Sequence, residues 1–289
     1  MSFMNLTMAI MLTTILFSKD STATKKYKYR DYTKKIEVPG LFSQDPEKYT
    51  LENALLPIEI EKIKEKAKNY VVNPVKNGEI VTMKTSRGVM KIKLFPEVAP
   101  NHCNNFKKLA NSGFYDKTYF HRVIPGFMIQ GGDILTRDHS RKNDGTGSPG
   151  WTVNAEFNSI LHKRGTLSMA RSSDPNSAGS QFFICVADAP HLDGKYTAFG
   201  EVVENIFVAD YIVNAETDYS KTISMMIDEI PKGQDEKQYI KMKNPKNRRF
   251  MYIKIPENQN AESFKYYIKD KLRSNNPVSK IELIEVKVD

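Results

Sequence analysis

The chain has 289 residues, 40% of them hydrophobic and 27% charged, with 43 Lys and Arg against 34 Asp and Glu, a formal net charge of +9. That balance suits a folded protein with a proper core and excludes a disordered chain, while 15 Gly and 14 Pro exclude collagen-like or low-complexity architecture. Two cysteines, Cys103 and Cys185, exclude a disulfide scaffold, and the five histidines lack metal-ligand spacing, so neither a metal nor another cofactor is expected.

The amino terminus carries an uncharged, mostly apolar run, Met4 to Phe17. About 14 residues is short of the roughly 20 that a membrane span needs. It matches the core of an export signal, and Ser21-Thr22-Ala23 offers small residues for cleavage. No Lys or Arg precedes the run, so the positive flank of such signals is only the terminal amine. The reading favours a signal at 1–23 and export to the periplasm or cell envelope, with a cytoplasmic location as the alternative and any membrane contact confined to this segment.

Residues 24–77 read as a basic, partly helical extension. Within Leu51 to Tyr70, Leu55, Ile58, Ile60, Ile63 and Ala67 recur near helical spacing, and Pro57 sets or breaks the start. Pro74 and Asn77-Gly78 mark a boundary turn. Two stretches are strongly basic: 25–35 holds six cations and one acid, and 241–254 holds six cations and no acid. Such runs could meet phosphate or anionic lipid, and steep salt dependence would reveal it. No nucleic-acid-binding motif accompanies them, so they are read as solvated surface and a nucleic-acid partner is not expected.

From Glu79 the texture changes. Ile80 to Thr85 and Val89 to Phe95 alternate apolar and polar residues around Ser86-Arg87-Gly88, a hairpin pattern. Pro100 then opens a helix with Cys103, Phe106, Leu109 and Ala110 on one face and Gly113 just past its end, so Cys103 reads as core. Short strand-like runs follow at Tyr119 to Val123, Phe127 to Gly131, Gly165 to Ala170, Gln181 to Val186 and Thr197 to Val202. Short strands between Gly- and Pro-rich loops point to a closed antiparallel barrel.

Three blocks carry a family resemblance. The stretch Phe120-His-Arg-Val-Ile-Pro-Gly-Phe-Met-Ile-Gln-Gly-Gly-Asp133 resembles the signature of cyclophilin-type peptidyl-prolyl isomerases. Gly165-Thr-Leu-Ser-Met-Ala-Arg171 with Gly179-Ser-Gln-Phe-Phe-Ile184, and Leu192-Asp-Gly-Lys-Tyr-Thr-Ala-Phe-Gly200, agree in order and spacing. The loop Gly145-Thr-Gly-Ser-Pro-Gly150 and Ala155-Glu-Phe-Asn158 resemble the bacterial-type branch.

The resemblance implies a mainly β fold, an eight-stranded antiparallel barrel capped by two helices, over residues 78–289. The second helix is expected near Val203 to Val213. The last strand is expected at 277–288, some 60 residues late, so 216–275 reads as an α/β insertion with a strand at Phe250 to Ile255 and a helix at Ala261 to Arg273.

By the same resemblance the chain is a peptidyl-prolyl cis–trans isomerase assisting protein folding, with a catalytically weak peptide-binding scaffold as the alternative. Arg122 matches the catalytic arginine and Gln130 the group that orients it. Phe127, Met128, Phe183 and Leu192 match the proline pocket, Gln181 lies along the groove, and Ala170 and Arg171 match the strand that binds substrate backbone. His121, beside Arg122 in the motif, is grouped with the site and read as structural.

Three positions depart from the pattern: His191 where the family often has Trp, Tyr196 where it often has His, and Arg171 where many members have Asn. Tyr and His still cover a proline, so activity is expected to survive. Loss of the indole removes a large contact and an N–H donor, so weak cyclosporin binding is expected. The remaining partners are proline-containing polypeptides, and the chain is expected to be monomeric.

Overall fold

The computed structural model describes residues 54–289; the expected signal at 1–23 and the basic run at 25–35 lie outside the described residues. The first element, helix α1 (Pro57–Asn69), begins at the proline, whose fixed φ and missing N–H suit a first helical turn. Its Ile60 and Ala67 are buried against the main core.

That core fills a curled antiparallel sheet of nine strand segments. They are β1 (Ile80–Thr85), β2 (Gly88–Leu94), β3 (Thr118–Tyr119), β4 (Arg122–Ile124), β5 (Met128–Gly131), β6 (Thr166–Met169), β7 (Phe182–Cys185), β8 (Ala198–Glu204) and β11 (Glu282–Val288), in the order β3-β11-β1-β2-β8-β6-β7-β5-β4. The two ends of that order, β3 and β4, are halves of one chain segment interrupted only by Phe120 and His121. β3 pairs with β11 and β4 with β5, so the sheet closes on itself through this segment and the nine pieces make eight strands.

Alternation decides which side chains enter. Val81 and Met83 on β1, and Met90, Ile92 and Leu94 on β2, are fully or almost fully buried between exposed lysines. Helix α2 (Pro100–Asn111) presses Cys103, Phe106, Leu109 and Ala110 into one end. There Phe106, Tyr115, Phe182 and Phe199 pack at ring separations of 5.1–5.5 Å. Helix α3 (Phe207–Val213) begins four residues later than its expected start, because β8 runs on through Glu204 and Asn205 turns the chain at φ 63°.

The segment that follows α3 folds around a second core. Helix α4 (Asp218–Ser224), strands β9 (Tyr239–Lys243) and β10 (Phe250–Lys254), and helix α5 (Ala261–Lys271) bury Met226, Ile240, Met242, Ile253, Phe264 and Ile268 among themselves. Its two ends run side by side. Val278 N–H donates to Glu216 O (2.7 Å), Asp218 N–H to Asn276 O (2.9 Å) and Tyr219 N–H to Ser274 O (3.1 Å). The half-buried Asp218 carboxylate clasps this neck, accepting from Lys271 Nζ and Ser274 Oγ at 3.0 Å each. Because Pro277 and Val278 belong to the neck, β11 starts at Glu282 and not at 277.

The neck also touches the loop that follows β5. Arg141 donates to Pro277 O (2.6 Å), Asn276 Nδ2 donates to Asp144 (3.2 Å), and Val123 N–H donates to Asn275 O (3.0 Å). Burial pushes the Asp144 carboxyl up to about 7; Arg141 and Asn276 oppose this, while Asp133 and Asp138 reinforce it. A carboxyl that holds its proton more tightly folded than unfolded contributes stability that is fully present below about pH 4 and is lost as pH rises through about 7. The variant Asp144→Asn should therefore match the wild type in urea unfolding at pH 4 and exceed it at pH 8. A constant difference across that range would refute the assignment.

Candidate active site

Cross-strand register places the site. Arg122 on β4 lies opposite Gln130 on β5, and Gln130 lies opposite Phe183 on β7. Directly opposed residues share a face, so this row lies on the outside of the barrel while Val123, Ile129 and Ile184 fill the inside. Two residues along, Met128 lies opposite both Ile124 and Cys185, and Gln181 extends the face on the other side.

The polar half of this face is one chain of neutral amides. Arg122 Nη1 donates to Gln130 Oε1 (3.2 Å), and Gln130 Nε2 donates to Gln181 Oε1 (3.0 Å). Gln181 Nε2 then donates to the carbonyls of Gly145 (3.0 Å) and Gly147 (2.9 Å). That glycine loop is itself pinned by a fully buried carboxylate. Asp133 accepts from the N–H groups of Gly145 (2.5 Å), Gly147 (3.2 Å) and Leu135 (2.7 Å). Three such donors replace the water that a buried carboxylate loses.

Arg122 remains exposed at the end of this chain, and burial of its surroundings lowers its pKa, an effect the nearby Tyr196 opposes. Among the described residues no carboxylate pairs with it. Its remaining donors face outward with the charge intact.

The apolar half is a satellite cluster apart from the main core. Met128, Phe183, Cys185, Ala189 and Leu192 are buried together, with Ile124, Phe127, Ala170 and Tyr196 around the edge. Phe183 meets Tyr196 edge-on at 6.0 Å, and His191 sits exposed 5.3 Å from the Phe127 ring. Beneath Phe183 stacks His162, at 6.0 Å, fixed between Asp193 (3.0 Å) and Ser168 (2.9 Å). A polar pocket of about 260 Å³ adjoins this cluster, walled by Gln130, Thr146, Ala170, Arg171, Ser177 and Gln181.

Ten of the twelve expected site residues line this face; His121 sits behind it and Arg171 on its rim. His121 is buried behind the row because it alternates with Arg122; its ring lies against Gln181 and Gly145 and lines a small cavity with Asn276 and Pro277. Burial holds its imidazole below the usual range, against the pull of Asp133. Arg171 is folded back. Its guanidinium lies 4.4 Å over the Tyr196 ring and donates to the carbonyls of Lys195 (2.8 Å) and Ser172 (2.8 Å), so it braces the rim. The Ala170 N–H is likewise engaged, by Gln181 O at 2.9 Å. Sequence reasoning missed Asp133, the Gly145 and Gly147 carbonyls, and His162. The glycine spacing in Gly145-Thr-Gly147 was a usable signal for the first two; a lone loop histidine carried none.

Chemically the arrangement offers an oriented cation beside a packed apolar cluster. Burial pushes the thiols of Cys103 and Cys185 up to about 12, which leaves neither as a nucleophile at neutral pH. The site is equipped for polarising and holding, not for bond making.

Comparison with known proteins gives consistent findings. The family model described as "Cyclophilin type peptidyl-prolyl cis-trans isomerase/CLD" matches residues 80–232. A peptidyl-prolyl cis-trans isomerase of Synechococcus elongatus is 46% identical over 123 residues, 43% of this chain and 79% of that protein. One from Helicobacter pylori is 40% identical over 156 residues, 49% of this chain and 91% of that protein. Among solved structures, a Cryptosporidium parvum cyclophilin-type isomerase crystallised in the presence of the dipeptide Ala-Pro superposes with a TM-score of 0.50 at 25% identity, covering 73% of this chain and 98% of that one.

The carboxylate cradle makes a steric prediction. A Cβ on Gly147 would come within 1.9 Å of Asp133 Oδ1, whereas one on Gly150 would meet nothing within 4 Å. Gly147→Ala should cost about 3 kcal/mol by overpacking, against about 1 kcal/mol for Gly150→Ala from its positive φ alone. Equal losses in chemical denaturation would mean that the loop does not depend on the cradle.

Proposed function

The chain belongs to the cyclophilin-type peptidyl-prolyl cis–trans isomerase family, and on that premise we propose that Arg122 is the group by which it speeds rotation about Xaa-Pro bonds. The amide barrier is about 20 kcal/mol because of resonance, and no covalent step is needed to lower it. A donor to the prolyl nitrogen, as that atom pyramidalises, removes double-bond character. A rate gain of about 10⁵ asks for roughly 7 kcal/mol of such stabilisation, present only in the twisted state.

The observation that carries this reading is the amide chain from Gly145 and Gly147 through Gln181 and Gln130 to Arg122. It aims a permanent cation without neutralising it. The pocket of Met128, Phe183 and Leu192, rimmed by Phe127, receives the proline ring and holds it still while the preceding carbonyl swings. Proline-containing polypeptides are then the substrates, and assistance to their folding is the role. Ala170, Gln181, His191 and Tyr196 line the path of the peptide on either side of the ring, with Arg171 steadying Tyr196.

Exchange of a short Xaa-Pro peptide, followed by NMR at catalytic protein concentration, tests the assignment. Arg122→Ala should lower kcat/KM by about 10²–10³ with the fold intact, and Gln181→Leu by about tenfold through loss of aim. Peptide binding without acceleration in the wild type would make the barrel a scaffold. The exposed His191 supplies less contact than an indole, so cyclosporin should inhibit weakly and His191→Trp should tighten inhibition about tenfold. An unchanged inhibition constant would remove His191 from the account.

A further inference from the structure

The hairpin β9–β10 presents an outer face that the isomerase site does not use. Ile240 and Met242 on β9, and Met251 and Ile253 on β10, turn into the second core. Alternation therefore sends Tyr239, Lys241 and Lys243, and Phe250, Tyr252 and Lys254, to the opposite face. Their register is regular: Lys243 lies opposite Phe250, Lys241 opposite Tyr252, and Tyr239 opposite Lys254. Every cross-strand pair on this face joins one aromatic ring to one lysine. Lys241 Nζ lies 4.8 Å from the Phe250 centroid and 5.7 Å from that of Tyr252, and Lys243 Nζ lies 5.6 Å from Phe250, which is 55% exposed.

The turn at the hairpin tip adds charge and rigidity. Lys246, Arg248 and Arg249 stand on a loop closed by Asn244, whose N–H donates to Arg249 O (2.8 Å) and whose side-chain oxygen accepts from Lys246 N–H (2.9 Å) and the Tyr219 hydroxyl (3.1 Å). Arg248 occupies a left-handed conformation, φ 64°, where glycine would be less strained, so a cation is kept at a backbone cost. None of the six cations between Lys241 and Lys254 forms an ion pair among the described residues. Of the acids that precede β9, Asp235 and Glu236 lie at the end away from the tip, while Asp228 and Glu229 follow Ile227, which pairs antiparallel with Tyr252 on the edge of β10.

We propose that this face binds single-stranded nucleic acid, with Phe250 and Tyr252 as base platforms and the six cations of 241–254 as phosphate contacts. Two rings on one face of one strand sit about 7 Å apart, and interleaved cations provide the charge that a polyanion needs. In a duplex the base faces are hidden by stacking, so rings favour unpaired strands. A lipid surface would ask for contiguous apolar area, which the alternation denies. Along the sequence alone 241–254 reads as solvated surface, because the register that sets rings beside lysines is invisible there. The proposal goes with the cytoplasmic alternative for this protein.

The test is fluorescence anisotropy of a labelled, mixed-sequence single-stranded RNA with the full chain, across a salt series. Phe250→Ala should weaken binding about tenfold with the salt slope unchanged, since no charge is lost. Arg248→Gly should lower the slope by about 0.7 and weaken binding, while the melting temperature holds or rises because glycine suits the left-handed turn. Both variants should keep wild-type isomerase activity. Binding untouched by either substitution would locate it elsewhere, the basic run at 25–35 included, and overturn the proposal. Equal competition by heparin or by duplex RNA, binding to anionic vesicles in place of RNA, or no binding at all would overturn it as well.

Discussion

The site depends on keeping an arginine aimed but uncompensated. A carboxylate partner would orient Arg122 more tightly, yet it would consume donors and cancel the charge that the role proposed for it needs. The chain solves this with neutral amides. Gln130 and Gln181 pass the orientation back to two glycine carbonyls, and the full negative charge in the assembly sits one step further, on Asp133, where three backbone N–H groups satisfy it. Rigidity is thus drawn from a buried carboxylate without its field being spent directly on the guanidinium.

The barrel makes the same economy possible for the apolar half. Because strands alternate faces, one row of residues lines the core and the next lines the groove, and the groove cluster of Met128, Phe183 and Leu192 stays separate from the interior. The loop over that cluster is held from both sides. His162 stacks below Phe183, and Arg171 braces Tyr196 from above. Where an Asn would leave the rim to its own hydrogen bonds, the arginine adds a cation–π contact and several bonds to backbone carbonyls.

The long segment between α3 and β11 is accommodated because its ends meet. A neck of backbone hydrogen bonds between 216–219 and 274–278 lets some 55 residues fold on a core of their own while β11 still reaches its place between β1 and β3. The neck is not isolated from the site. Asn275 and Asn276 bond to the backbone beside Arg122 and to the loop carrying Gly145, so the added segment and the face that carries Arg122 share structural members.

Much of this was legible in the residues themselves. The alternation of Ile80 to Phe95 predicts the β1–β2 hairpin, Pro100 and Gly113 bracket α2, and the block Phe120 to Asp133 resembles a known family, because periodicity and local punctuation are written along the chain. Phe127, Met128, Phe183 and Leu192 could be grouped only through that resemblance, since by composition they are ordinary core. What required the tertiary structure is everything set by register between distant segments. The side of the strand taken by His121, the backward fold of Arg171, the support from His162 and Asp133, and the pairing of rings with lysines on β9 and β10 all belong here. A sequence states which residues share a face of one strand; only pairing decides which faces meet, and that choice rests on closing the whole sheet at once.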